Sequence, residues 1–181
     1  NEAMSRDMSQ RVDILHNLRD ALKTDEFFLV FQPQVDLMSG RVTGLETLIR
    51  WVNDKGEFIA PSVFIPIAEN SGMMIAIGKW VFENSCRYLA HLRHHGHADI
   101  AISINVSAAQ LKDPEFIVFV QDMIMRYGLP AGSIDIEITE TLAMEDIEYC
   151  IQMINDLKQA GLNVSLDDFG TGYSSLAYLQ R

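Results

Sequence analysis

Cysteine is nearly missing from this chain. Cys86 and Cys150 are the only two, far apart and each inside a segment that reads as a half-apolar helix. A disulfide framework or a zinc ribbon needs close, repeated cysteine spacing, so both read as reduced packing residues. Basic residues are also scarce, with 14 Lys and Arg against 25 Asp and Glu and a formal net charge of −11. That balance argues against binding to a DNA or RNA polymer or to an anionic membrane, both of which depend on clustered cations. An excess of acids suits cation binding instead. No apolar run reaches the roughly 18 residues of a membrane span, so no direct membrane insertion is expected, and the N-terminus has no signal-peptide apolar core. A cytoplasmic location follows as the expectation. No long polar or Pro/Gly-dominated tract interrupts the chain, and its 48% hydrophobic content is enough to build the core of one globular domain.

Residues 1–16 read as linker and the start of a connector helix. NEAMSRDMSQ has no periodicity and is set outside the fold, whereas from Arg11 the run RVDILHNLRDALKTD places Val12, Leu15, Leu18, Ala21 and Leu22 at amphipathic-helix spacing. FFLVFQPQVDL then reads as a strand and RVTGLETLIRWV as another, with the turn signal Met-Ser-Gly between them. So short a link forbids a parallel crossover, and the two strands are expected to form an antiparallel hairpin. Beyond it the rhythm becomes βα alternation: helices over 61–70 and 73–95, strand 100–106, helix 113–127, strand 133–139, helix 145–160 and strand 162–167. In a doubly wound sheet such strands would be apolar throughout. Here Ser103 and Asn105, and Asp135, Glu137 and Thr139, alternate with aliphatics, so polar side chains share one strand face. In a β/α barrel that face points inward and lines the mouth at the strand C-termini. The predicted class is therefore α/β, a TIM-like β/α barrel with an antiparallel first hairpin.

Where the buried strands should end, oxygen-bearing side chains recur: Glu46 in GLETLIRW, Asn105 in ISINVS, Glu137 in DIEITE, and Asp167 with Asp168 in VSLDDFG. Carboxylates gathered on one barrel rim make a site for hard cations. Taken singly, Glu46 or Glu137 is an ordinary solvent-facing strand residue, DDFG a loop with an Asp helix cap, and Arg50 a salt-bridge partner. A DFG triplet also holds magnesium in kinases, but the Gly-rich loop and HRD motif are absent. His91, His94, His95 and His97 read as a solvated helix end, and Met73, Met74, Met123 and Met125 as core.

Taken together, FFLVFQPQVDL, GLETLIRW, PSVFIPIAENSG, INVSAAQL, IEITE and DDFGTGYSSLAYL resemble, in order and spacing, the EAL domain family of bacterial cyclic di-GMP phosphodiesterases, from residue 17 to residue 181. The resemblance implies metal-dependent hydrolysis of cyclic di-GMP to linear pGpG. It implies that Glu46, Asn105, Glu137, Asp167 and Asp168 are metal ligands, with Glu46, Asp167 and Asp168 catalytic, and that Gln32 and Arg50 bind substrate. Glu140 would hold the DDFGTG loop, which Gly170 and Gly172 allow to bend. Ligands that are all oxygen suit two Mg²⁺ or Mn²⁺ ions rather than structural zinc. A homodimer and a preceding GGDEF or sensor domain are implied as well.

Two departures from the family pattern stand out. The signature reads Glu-Thr-Leu, with Thr47 where the family has Ala; strand alternation predicts that Thr47 points away from the metals. The chain also stops at Arg181, whereas a β/α barrel typically needs about 250 residues. About five of eight strands are expected here, as the N-terminal two-thirds of an EAL domain that is a fragment of a longer parent or is completed by another chain. The parent is expected to be a phosphodiesterase and the fragment inactive; the alternative is a non-catalytic cyclic di-GMP receptor or regulatory interaction module.

Overall fold

The computed structural model describes residues 2–139 and 147–167, with side chains from residue 12 onward. The chain opens with helix α1 (Glu2–Ala21), followed by the hairpin β1 (Phe27–Val35) and β2 (Val42–Val52), and by β3 (Phe58–Ile59). Next come α2 (Pro61–Asn70), α3 (Met74–His94), β4 (Ala101–Asn105), α4 (Ala108–Leu111) and α5 (Phe116–Arg126). The series closes with β5 (Ile134–Thr139), α6 (Ile147–Gln159) and β6 (Asn163–Asp167).

One sheet carries all the described strands, in the order β1-β2-β4-β5-β6, with β3 paired to β2. β1 and β3 run antiparallel to β2, whereas β2, β4, β5 and β6 are mutually parallel. The hairpin forms because its link is built for a turn. Asp36 accepts from the Ser39 amide (2.8 Å) and hydroxyl (2.6 Å), and Gly40 takes φ 67°. Among the described residues the path ends at β1 and β6 without closing, as five strands of an eight-strand barrel must.

The helices cover one face of this sheet. Ile102, Ile104, Ile134, Ile136 and Ile138 are buried and share a core cluster with Ile77, Phe82 and Leu89 of α3, Val120 of α5 and Leu157 of α6. At the hairpin end the core is aromatic. Trp51 meets Phe64 edge-on and Phe27 at a tilt, both at 5.5 Å between ring centroids, and its indole N–H donates to Glu26 at 3.0 Å. Cys86 and Cys150 are buried thiols, as expected, and no described helix is long and apolar enough to cross a membrane.

Several expectations need correction. Helix α1 starts at Glu2, not near Arg11. Its first turns have no apolar rhythm, but Glu, Ala, Met, Arg and Gln are good helix formers, and no Pro or Gly breaks the run. On the same helix the buried stripe is Ile14, Leu18 and Ala21, while Val12 is exposed. Met125 is 79% exposed although Met123, two positions earlier on α5, is buried; positions two apart do not share a helix face. β3 and α4 were not anticipated, being too short to show a period. The His91 and His95 rings lie 4.1 Å apart at the exposed end of α3.

Candidate functional site

The face of the sheet away from the helices is polar, and the strand register decides what meets there. Residues paired across a ladder point to the same side. Glu46 of β2 therefore lies beside Gln32 of β1 and Ser103 of β4, and Ser103 beside Asp135 of β5. One step toward the strand C-termini, Asn105, Glu137 and Ser165 form the next row, and above it Thr139 pairs with Asp167. The helix-facing partners in the same strands are the buried isoleucines, so alternation alone sorts wet from dry. Thr47 confirms the sorting. It is 4% exposed on the helix side, where the Ser85 hydroxyl of α3 reaches its Oγ1 at 3.3 Å, and it takes no part in the polar rows.

Hydrogen bonds draw the polar side chains together. The Asn105 amide donates to Glu46 Oε1 at 2.9 Å. Gln34, reaching across from β1, donates to Ser103 Oγ at 3.3 Å and Glu137 Oε1 at 3.4 Å. Ser165 donates to Asp135 Oδ2 at 2.9 Å, while Asp135 Oδ1 is buried without a partner among the described residues. Burial pushes the Glu137 carboxyl above the usual range, and the charge of Glu46 adds to this. A hydrogen bond from Ser103 opposes the rise, and the charges of Asp167 and Asp135 reinforce it. Burial raises Asp135 likewise, against the Ser165 bond.

These features fit a hard divalent cation. The donors are all oxygens, and the Glu46, Asp167 and Asp135 charges all bear on Glu137, with no basic side chain bonded to it among the described residues. Among the described residues, no three His, Cys, Asp or Glu side chains gather closely enough to hold an ion by themselves. Asp168, Glu140, Gly170 and Gly172 lie outside the described residues. Arg50 turns its guanidinium to the Ile49 carbonyl (2.8 Å) and makes no ion pair among the described residues, contrary to the salt-bridge reading. A concavity of about 830 Å³ lies elsewhere, at β1 and α3, lined by Phe27, Phe31, Trp80, Arg87, Tyr88 and His91. Phe27 and Trp80 belong to the helix-side aromatic core, so volume there does not mark the carboxylate face.

Comparison with known families places this arrangement. A model described as "EAL domain" matches residues 15–181. The chain belongs to the EAL domain family. It is 36% identical over 179 residues to the bifunctional diguanylate cyclase/cyclic di-GMP phosphodiesterase MucR of Pseudomonas aeruginosa, a match covering 99% of this chain and 26% of MucR. The solved MucR phosphodiesterase in complex with c-di-GMP superposes with a TM-score of 0.88 at 37% identity, covering 93% of this chain and 68% of that one. The EAL enzyme Bd1971, in its cAMP- and cyclic-di-GMP-bound form, gives a TM-score of 0.85 at 31% identity, covering 96% of this chain and 48% of that one. The fold is accordingly the TIM-like β/α barrel of EAL domains, of which the described residues form an open part. The chain spans about a quarter of the length of the MucR protein.

Within this EAL domain, the register brings Gln32, Glu46, Asn105 and Glu137 onto one face and puts Asp167 at its rim. Reading the sequence alone missed Gln34, Ser165 and the depth of Asp135. All three were legible in principle, since each sits two positions from a residue already singled out and so shares its strand face.

Proposed function

We propose that this EAL domain, within the intact protein that carries it, hydrolyses one phosphodiester bond of cyclic di-GMP to give linear pGpG, using Mg²⁺ or Mn²⁺ at a two-ion site. One observation carries the reading. The Glu46 charge on β2 bears on Glu137 of β5 across β4, and Asn105 of β4 bonds Glu46 between them. Such a cluster has a use when a cation is shared. The names of the relatives, which include cyclic di-GMP phosphodiesterase and c-di-GMP complex, supply the substrate class.

In this reading Glu46, Asn105, Glu137 and Asp167 hold the cations and Asp168 serves the second of them. Bound there, the metal supplies a water of lowered pKa and neutralises charge on the phosphate and the leaving oxygen. Gln32, beside Glu46 in the ladder, and Arg50, four positions along β2, contact the nucleotide. Swung from the Ile49 carbonyl, the guanidinium fork grips a phosphate oxygen or guanine edge. Glu140 is assigned, by family resemblance, to holding the DDFGTG segment that begins at Asp167. Action is assigned to the cytoplasm, in a longer protein carrying a GGDEF or sensor domain and acting as a homodimer. Residues 1–181 alone, spanning 68% of the MucR phosphodiesterase chain, are inactive in this reading.

The test uses the intact protein with cyclic di-GMP, in Mn²⁺ and then in Ca²⁺, with product followed by chromatography. Formation of pGpG in Mn²⁺ is expected, together with its loss in Glu46→Ala at an unchanged unfolding midpoint. Nucleotide binding without any pGpG would instead establish a receptor.

A further inference from the structure

Gln34 has no role in the reading above, yet three features of the hairpin converge on its side chain. First, its amide spans the polar face, donating to Ser103 Oγ (3.3 Å) on β4 and to Glu137 Oε1 (3.4 Å) on β5. Second, the residue opposite it in the ladder is Gly44, where a Cβ would overlap the Gln34 carboxamide oxygen. Gly44 is not among the positive-φ glycines, so its missing side chain matters here for space and not for backbone freedom. Third, the β1–β2 register slips between Gln34 and Val35, directly beside this residue. Such irregularities re-aim side chains and collect next to functional sites.

We propose that Gln34 is a positioning residue for Glu137, seated in a notch that Gly44 leaves open. Its N–H, with the Ser103 hydroxyl, engages Glu137 so that the rest of the carboxylate is presented in one orientation to a cation. Groups that orient a ligand in this way raise metal affinity by fixing geometry in advance. The inference rests on the metal-site reading of Glu137 and adds to it a role for β1, a strand that contributes no ligand.

The experiment is direct Mn²⁺ titration by calorimetry on the intact protein, without substrate, for wild type, Gln34→Ala, Gln34→Met, Gly44→Ala and the Gln34→Ala/Gly44→Ala double variant. Far-UV circular dichroism and unfolding midpoints serve as fold controls. Gln34→Ala and Gly44→Ala are each expected to weaken Mn²⁺ binding about tenfold. The double variant should be no weaker than either single one, because both changes remove the same contact. Gln34→Met keeps length and neutrality but loses the donor, so it should bind no better than Gln34→Ala. Unchanged affinity in Gln34→Ala, retained affinity in Gln34→Met, or additive losses in the double variant would each overturn the proposal. Should Gly44→Ala fail to fold, the two Gln34 variants decide alone, since neither adds bulk. A wild-type protein that binds no Mn²⁺ overturns the metal-site reading and this inference with it. Wild-type binding that Gln34→Ala leaves intact overturns only the latter.

Discussion

Asp113 shows how much one side chain settles locally. Its carboxylate accepts from the Glu115 amide at 3.0 Å, and its carbonyl accepts from the Phe116 amide, also at 3.0 Å. α5 therefore begins at Phe116, three residues later than the apolar rhythm predicts. Lys79 of α3 reaches the same carboxylate at 3.2 Å and Glu115 at 3.6 Å. The Glu115 N–H bond, helped by Lys79, holds Asp113 below the ordinary carboxylate range. A carboxyl whose folded pKa is depressed stabilises the fold above its unfolded pKa, and that contribution disappears as pH falls through the folded value. Asp113→Ala should therefore lower the thermal unfolding midpoint at about pH 7 and cost less at about pH 3, where the loss that begins below the unfolded carboxylate pKa is under way. An equal cost at both pH values, measured by calorimetry, would show that the ionised form is not what matters.

At the scale of elements, the segment after β4 shows why some of the fold could be read from sequence and some could not. Gln110 of α4 is 3% exposed and accepts from both the amide (3.2 Å) and hydroxyl (3.0 Å) of Ser107, fixing the turn that follows Asn105. It fits against α3 because position 78 is glycine, where a Cβ would overlap the Gln110 carboxamide. Gly78→Ala, although a better helix former, should destabilise the domain by about 1–3 kcal/mol through overpacking. Urea unfolding checks this, and a stabilised variant would refute the packing account. Nothing in the apolar pattern marks Gly78 or α4, since a single turn of helix is too short to show a period. The hairpin and the longer helices were legible because period-2 and period-3.6 patterns ran over enough residues. The polar strand face was legible for the same reason, as in Asp135, Glu137 and Thr139. What alternation cannot give is stagger: that Asn105 bonds Glu46, while Glu137 sits level with Asn105, depends on how neighbouring strands slide past each other. The non-apolar start of α1 escaped for a different reason, because propensity without amphipathicity leaves no stripe to find.

At the scale of the molecule, the sheet divides the chain into a dry side and a wet side, and Cys86 reports on the dry one. It is fully buried on α3, and burial together with the nearby Glu83 charge pushes its thiol up to about 12. A thiol of that kind is almost wholly protonated near neutrality and is a poor nucleophile. Cys86 should therefore resist a disulfide reagent in the folded protein and react only as fast as the domain opens, with mass spectrometry of the labelled peptide locating the modification. Rapid labelling under native conditions would contradict the packing described for α3.

The reversed direction of β1 has a consequence for where α1 meets the sheet. Phe27, where β1 begins, is level with Trp51 near the C-terminal end of β2, so the strand enters the sheet at the end where Asn105 and Asp167 terminate their own strands. A parallel first strand would have delivered α1 to the far floor of the cylinder. Instead the leading helix joins the sheet at that rim through residues 22–26, and Glu26 is held there by the Trp51 indole. A displacement of α1 would thus act within a few residues of the ends of β4 and β6, with no need to cross the sheet.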